Sequence, residues 1–483
     1  MAGDRGGDAA GDLMDVGLIG LAVMGENLAR NIAGNGFGVA VYNRTPERTR
    51  AFVEGLSSGE RIIGTESLAA LVGRVARPRR ILLMVTAGAA VDEVLAALRP
   101  LLEPGDVIMD CGNSHFRDTE RRQSELAGTG IHYFGVGVSG GEEGALKGPS
   151  IMVGGPREAY QVVEPLLTRI AAQVDDGACC ALVGPGGAGH FVKMAHNGCE
   201  YAVMQCIAEC YDLLAHGVGL TPAELADVFA RWNETEVGSY LVEITADVLA
   251  RIDDETGRHL VELIQDRAGQ KGTGKWTSQS ALDLGVPVPT IDAALAARNM
   301  SALKTERERA SQVLHGPVER PRVEREAIIE ATRRALYCSV VASYAQTLAL
   351  LAVASRERGY GLDLSEIARI WKGGCIVRSK LLDLIQESFV FEPGDAPIAN
   401  LMLDPILTNE LNRFQGAWRF IIATIRTYAL PCPALSASLD YFDGYRQARG
   451  PANLLQGLRD YFGAHTYERI DRPGVFHTEW QES

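Results

Sequence analysis

Between Met14 and about residue 184, short apolar runs alternate with stretches of helical spacing; the runs fall at 16–20, 39–42, 81–85, 107–110, 132–136 and 151–153. This alternation of strand and helix predicts a mostly parallel, doubly wound α/β sheet. The pattern stops at GPGGAG, residues 184–189, and beyond it apolar residues recur every three or four positions, as at Phe191, Met194, Ala195, Ala202 and Val203. That spacing predicts an all-helical second part. Four segments follow: a disordered extension at 1–13, the α/β domain at 14–188, the helical domain at 189–449, and an extended tail at 450–483. The tail cannot bury Tyr461, Phe462, Tyr467, Phe476 and Trp480 by itself. It is expected to dock on the body or on a second subunit. Within the helical part, TPAELADVF at 221–229 is echoed by DLSEIARIW at 363–371, 142 positions later. Both follow an apolar helix ending near a glycine, which reads as a duplicated helical unit.

With 483 residues the chain has room for two or three domains at about 100–200 residues each. Its hydrophobic and charged fractions, 46% and 22%, are those of ordinary globular proteins, and we expect no apolar run of the roughly 18 residues that span a bilayer. The N-terminus has neither the cationic start nor the apolar stretch of a signal peptide. Nine cysteines without paired metal spacing suit a reducing cytoplasm and no metal site. The formal net charge of −14 argues against nucleic-acid partners, whose phosphates need a basic surface. Any anionic ligand therefore requires a local basic pocket.

The first strand runs into Gly20-Leu-Ala22-Val23-Met24-Gly25 and then a helix-like segment. This is a G-x-A-x-x-G variant of the dinucleotide fingerprint, in which small residues admit the pyrophosphate and helix amides hold its charge. The first domain is therefore expected to be Rossmann-type. The second strand ends at Asn43-Arg44-Thr45, where NAD enzymes carry a carboxylate for the ribose hydroxyl; an arginine pairs with a 2′-phosphate instead and favours NADP.

Past the domain boundary stand Lys193, His196, Asn197 and Glu200, which share one face of a helix. Apolar flanks suggest that this helix is buried, so the stripe needs partners. A buried lysine sheds its proton near neutrality and suits general-base work. Lys271 and Arg298 are candidate phosphate ligands, whereas Lys275 and Arg307 are read as solvent-exposed.

Taken together, these features resemble the 6-phosphogluconate dehydrogenases from about Val16 to Glu468. The strings that carry the resemblance are GLAVMGENLARN, YNRTPERT, DCGNSHFRDT, GVGVSGGEEGALKGPSIMVGG, KMAHNGCEYAVMQ, AGQKGTGKWT, WKGGCIVRS and RDYFGAHTYE. The resemblance implies oxidative decarboxylation of 6-phosphogluconate to ribulose 5-phosphate with reduction of NADP, as in the pentose phosphate pathway. It implies a substrate shell of Asn113, Ser139, Gly140, Gly141, Lys193, His196, Asn197, Glu200, Tyr201, Lys271, Thr273 and Arg298. It further implies a cytoplasmic homodimer whose exchanged tail brings Arg459 and His465 to the neighbouring site. Lys193 would take and return a proton, and Glu200 would protonate C1 of the product. Val85, Ala87 and Asn113 would join Gly20–Gly25 and Asn43–Thr45 at the cofactor.

The chain departs from the family where V-K-A-G is usual and Val85-Thr86-Ala87-Gly88 stands here. Loss of that cation weakens NADP binding or relaxes its preference over NAD, which stays the weaker alternative. Arg267 replaces a common lysine with a milder effect. Two rivals are a shorter β-hydroxyacid dehydrogenase acting on an unphosphorylated acid, such as 3-hydroxyisobutyrate, and a non-catalytic NADP-binding sensor. The first lacks the last four strings, and the second would be expected to lose Lys193 and Glu200.

Overall fold

The computed structural model describes residues 13–270, 272–317, 324–391 and 397–480. Apart from Leu13, the 1–13 extension lies outside them. The first domain carries β1 (Val16–Ile19), β2 (Val39–Tyr42), β3 (Ile62–Gly64), β4 (Arg80–Leu83), β5 (Val107–Asp110), β6 (His132–Val138), β7 (Ile151–Gly154), β8 (Gln173–Val174), β9 (Gly177–Ala178) and β10 (Cys180–Gly184). Eight of these form one sheet in the order β10-β7-β6-β5-β4-β1-β2-β3, while β8 and β9 make a separate hairpin. From β3 to β6 all neighbours are parallel; β7 joins β6 antiparallel and β10 joins β7 parallel. Helices cover the sheet, so the central strands are apolar throughout, as in Val16–Ile19 with every residue buried.

The sequence pattern misses two strands at the sheet edges. β3 has three residues and one of them is buried, too little to register as an apolar run. β10 opens with Cys180 and Ala181 and closes with Gly184, and Ala and Gly have weak strand preference.

The helical part is built on two long helices, Ala188–Asp212 and Arg325–Arg358, packed on each other. After the first, a π-turn ends at Gly219; after the second, the chain turns at Gly359. Both glycines are left-handed. Each turn leads to a capped helix. Thr221 caps Pro222–Asn233 with a reciprocal bond to Glu224, and Asp363 caps Leu364–Ile370. The helices Tyr240–Ala250 and Leu381–Ser388 follow, and the two copies meet where Tyr240 N donates to Arg378 O and Lys380 N to Gly238 O, each at 3.0 Å. The echo at 221 and 363 is thus a repeated unit with the same order of parts.

One expectation is corrected by the second long helix. Residues 335–355 carry no charge and the helix is long and apolar enough to cross a membrane, yet 78% of its apolar window is buried inside the fold. Its hydrophobicity serves the core, against Phe414, Trp418 and Leu435 among others. The tail also differs from an extended segment. Leu454, Leu455, Leu458, Tyr461 and Phe462 recur at helical spacing, and Ala452–Gly463 is a helix, followed by a hairpin of β11 (Tyr467–Glu468) and β12 (Val475–Phe476).

Candidate active site

The turn after β1 is forced by close packing. Gly20 has φ +103°, and a Cβ there would strike the backbone oxygen of Met84; one on Gly25 would strike Gly20 O. Ala22 is the extended N-cap of the helix Val23–Gly34 and its side chain caps nothing, so the first-turn amides of Val23, Met24 and Gly25 stay available to an anion. Asn43 Oδ1 accepts from Leu21 N at 3.1 Å, and Asn43 Nδ2 donates to Thr45 O at 3.3 Å, fixing the end of β2 beside this turn. The Arg44 side chain is 90% exposed and sits 4.0 Å from Glu93. Segment 85–88 leaves β4 with Thr86 exposed and Val85 O against Gly112, next to the exposed Asn113 that follows β5. Close-approach glycines, open helix amides and an exposed arginine together fit a phosphorylated dinucleotide.

The helix Ala188–Asp212 lies directly on β6 and β7. A Cβ on Gly137 would come within 2.5 Å of Lys193 Cβ, and one on Gly135 within 2.8 Å of His190 Nδ1. The two glycines share one face of β6 and clear a trough for the helix. Lys193 is consequently only 7% exposed. Burial pushes its ammonium below the ordinary lysine range, against the attraction of Glu200. Glu200 is pushed the other way: burial raises its carboxyl, and Lys193 and Arg298 oppose the rise. His196 lies well below the ordinary imidazole range, first through burial and then through Lys193. Burial thus works against charge on the amine, the ring and the acid alike.

Around this stripe the fold gathers most of the other expected groups. Ser139 Oγ lies 3.2 Å from His196 Nε2, while His196 Nδ1 is 3.0 Å from Asn197 Oδ1 and 3.9 Å from Glu200 Oε2. Asn197 Nδ2 donates to Thr273 Oγ1 at 3.2 Å. Gly140 and Gly141 follow Ser139 and open the helix Gly141–Lys147. The Arg298 guanidinium stacks 3.5 Å over the Tyr201 ring and donates to Gly269 O. Thr273 starts a helix whose Gly274 packs against the Tyr201 ring. Lys271 lies outside the described residues. Lys275 is exposed as expected, but Arg307 is not: it pairs with Asp266 at 2.9 Å and donates to the carbonyls of Asp266 and Ser301.

Arg459 and His465 do not join this group within the single chain. Both are exposed, with Arg459 bonded to Gln456 and His465 edge-on to Phe462, inside the tail. Their neighbour Asp460 is the tail's centre: it accepts from Thr466 N, His477 Nδ1, Thr478 N and Trp480 Nε1. Burial opposes its charge, but these donors prevail and hold the carboxyl below the usual range.

Reasoning from the sequence missed three residues beside the site. Glu93 faces Arg44 from a helix that carries no motif. His190 stands one turn before Lys193 on the same helix, a spacing that could have revealed it. Arg122 shares the buried face of its helix with Phe116, Thr119 and Leu126, and a charge at that spacing between Phe116 and Leu126 is the signal that was available.

Family models match both parts of the chain: the NAD binding domain of 6-phosphogluconate dehydrogenase over residues 15–184, and the 6-phosphogluconate dehydrogenase C-terminal domain over residues 189–480. The chain is 56% identical over 471 residues to the decarboxylating 6-phosphogluconate dehydrogenase of Synechococcus elongatus, covering 97% of this chain and 99% of that one. It is 51% identical over 468 residues to the NADP(+)-dependent decarboxylating enzyme of Bacillus subtilis, with the same coverage. The solved Plasmodium falciparum 6-phosphogluconate dehydrogenase, studied in apo form and with NADP+ and 6-phosphogluconate, superposes with a TM-score of 0.91 at 41% identity, over 96% of this chain and 100% of that one. Glycine-turn dinucleotide site, buried lysine helix and near full-length similarity converge, and the chain belongs to the 6-phosphogluconate dehydrogenase family.

Proposed function

We propose that the chain oxidises and decarboxylates 6-phosphogluconate to ribulose 5-phosphate and CO2, with NADP as acceptor. The observation that carries this reading is the buried stripe of Lys193, His196, Asn197 and Glu200 on a helix packed against β6 of the domain that bears the dinucleotide turn. NADP, when bound, supplies the hydride acceptor for C3. Lys193, whose ammonium burial disfavours, takes the proton of the C3 hydroxyl as the hydrogen bonded to C3 leaves with its electron pair. The resulting ammonium then donates to the new C3 carbonyl oxygen. This draws off the electrons released when the C–C bond to the carboxylate breaks, and CO2 departs. Glu200, whose carboxyl pKa burial raises, delivers a proton to C1 of the product. Ser139, His196, Asn197 and Thr273 form a hydrogen-bonded wall that orients the sugar hydroxyls, and Arg298 with Lys271 holds the phosphate.

The reading extends to a homodimer with exchanged tails. Leu454, Leu455, Leu458 and Phe462 expose apolar surface on the tail helix, and Val313, Leu314 and Ile264 do so on the segments flanking Thr273 and Arg298. A second copy's tail would cover both and bring Arg459 and His465 to the substrate phosphate. All nine cysteines are free and buried, which suits a cytoplasmic setting.

The test follows NADPH absorbance with 6-phosphogluconate, beside NAD in place of NADP and beside phosphate-free gluconate. NADPH forming with the phosphorylated acid alone supports the reading. Equal rates with gluconate would favour a dehydrogenase of unphosphorylated acids, and no NADPH with either would favour a binding protein. Mixing Lys193→Ala and Arg459→Ala chains tests tail exchange, since mixed dimers should regain activity that neither parent has.

A further inference from the structure

We propose that Arg122 is a positioning residue that locks the cofactor segment 85–88, the Asn113 turn and the Lys193 helix into one arrangement; the inference rests on the reading above. The Arg122 side chain is completely buried, and its three nitrogens reach three different places. Nη2 donates to Gly88 O at 3.0 Å, at the end of the cofactor segment. Nη1 lies 3.4 Å from both Asp110 Oδ2 and Ser114 Oγ, which bracket Asn113. Nε donates to Asp92 Oδ1 at 2.8 Å, on the helix that segment 85–88 leads into.

Asp110 extends the lock in two directions. Its carboxylate accepts from Gly112 N at 3.1 Å, Ser114 Oγ at 2.6 Å and Tyr133 OH at 2.8 Å, so the turn that displays Asn113 is tied down on both sides. Its carbonyl lies 3.1 Å from His190 Nε2. A carbonyl only accepts, so Nε2 carries the proton, and Nδ1 accepts from Thr119 Oγ1 at 2.6 Å. His190 stands three residues before Lys193. The chain of contacts therefore runs from Gly88 through Arg122, Asp110 and His190 to the helix that bears the base. The guanidinium spreads its donors over three nitrogens in a rigid plane; a lysine would keep the charge but concentrate its donors on one nitrogen, which cannot span the same three places.

The experiment compares wild type, Arg122→Lys and Asp92→Asn by kcat, KM for each substrate, melting temperature, and the primary isotope effect with 3-deuterated 6-phosphogluconate. A misplacement of ~1 Å costs on the order of 10²-fold in rate. Arg122→Lys should therefore lower kcat by about that factor, raise KM for NADP more than for 6-phosphogluconate, and raise the isotope effect as hydride transfer becomes limiting. Asp92→Asn removes one partly exposed arm, leaves the buried pair intact, and should shift the same quantities in the same direction by a smaller factor. It carries the test if Arg122→Lys does not fold. Unchanged kcat and isotope effect in Asp92→Asn and in folded Arg122→Lys would overturn the proposal, as would losses that track only the folded fraction. A wild type that forms no NADPH overturns the functional reading and this proposal with it.

Discussion

Gly137 on β6 lies beneath Lys193, and a Cβ added to the glycine would sit 2.5 Å from the lysine Cβ. No rotamer of the lysine relieves that clash, since Cβ is fixed by the backbone. Gly137→Ala must lift the helix or bend the strand. We expect a stability loss of about 1–3 kcal/mol from overpacking. A fall in kcat of order 10²-fold should accompany it, because the base moves relative to its substrate. Thermal melting and steady-state rates on the same preparation check both figures; a kcat within twofold of wild type would show that the trough under the helix does not set the position of the base.

Lys193 and Glu200 give the activity a defined pH dependence. The proposed reaction needs the amine free and the acid protonated, and burial lowers the one pKa and raises the other. The kcat/KM profile should therefore be a bell whose acid limb lies below the titration of a free lysine. Its alkaline limb should disappear in Glu200→Gln, with a lower plateau. An activity that keeps climbing until ordinary lysines titrate would contradict a neutral buried amine.

In the proposed reading cofactor choice rests on Arg44, with Thr86 contributing no cation. Charge-assisted hydrogen bonds contribute about 1.5–3 kcal/mol, so Arg44→Ala should cut kcat/KM for NADP by roughly 10- to 100-fold and leave NAD almost unchanged. The exposed pair with Glu93 is worth ~0.2–1 kcal/mol at most. Glu93→Gln frees the guanidinium and should improve NADP use by no more than severalfold. Parallel rates with the two dinucleotides decide; equal losses with both would remove Arg44 from 2′-phosphate recognition.

The sign of a pH effect on stability follows from Glu209. Its carboxylate accepts from Ala434 N and Leu435 N at the start of the helix Pro433–Tyr445, yet burial dominates and raises its pKa from 4.5 to about 7. The folded state thus holds this proton more tightly than the unfolded chain. The contribution is full below about 4.5 and is lost as pH rises toward about 7, above which it is constant. The span is at most ~3 kcal/mol. Melting temperatures between pH 5 and 8 should fall less in Glu209→Gln than in wild type, and parallel curves would refute the assignment.

Much of this was legible in the residues themselves. The Gly20–Gly25 turn and the stripe of Lys193, His196, Asn197 and Glu200 are local features, written at fixed spacings that survive without any tertiary information. The trough made by Gly135 and Gly137 was not legible, because a glycine in a strand does not announce which helix will lie on it. Arg122 and Asp110 were hidden for a related reason, since a charged pair reads as surface until the fold shows it buried. In the tail, proline and aromatic content masked a helix of ordinary periodicity.

Whether the buried amine of Lys193 is the base is decided by single-turnover formation of NADPH by Lys193→Ala, measured alongside NADP binding to the same sample. Wild-type NADP affinity is expected, with no NADPH formed from bound 6-phosphogluconate. NADPH appearing at anything near the wild-type rate would contradict it.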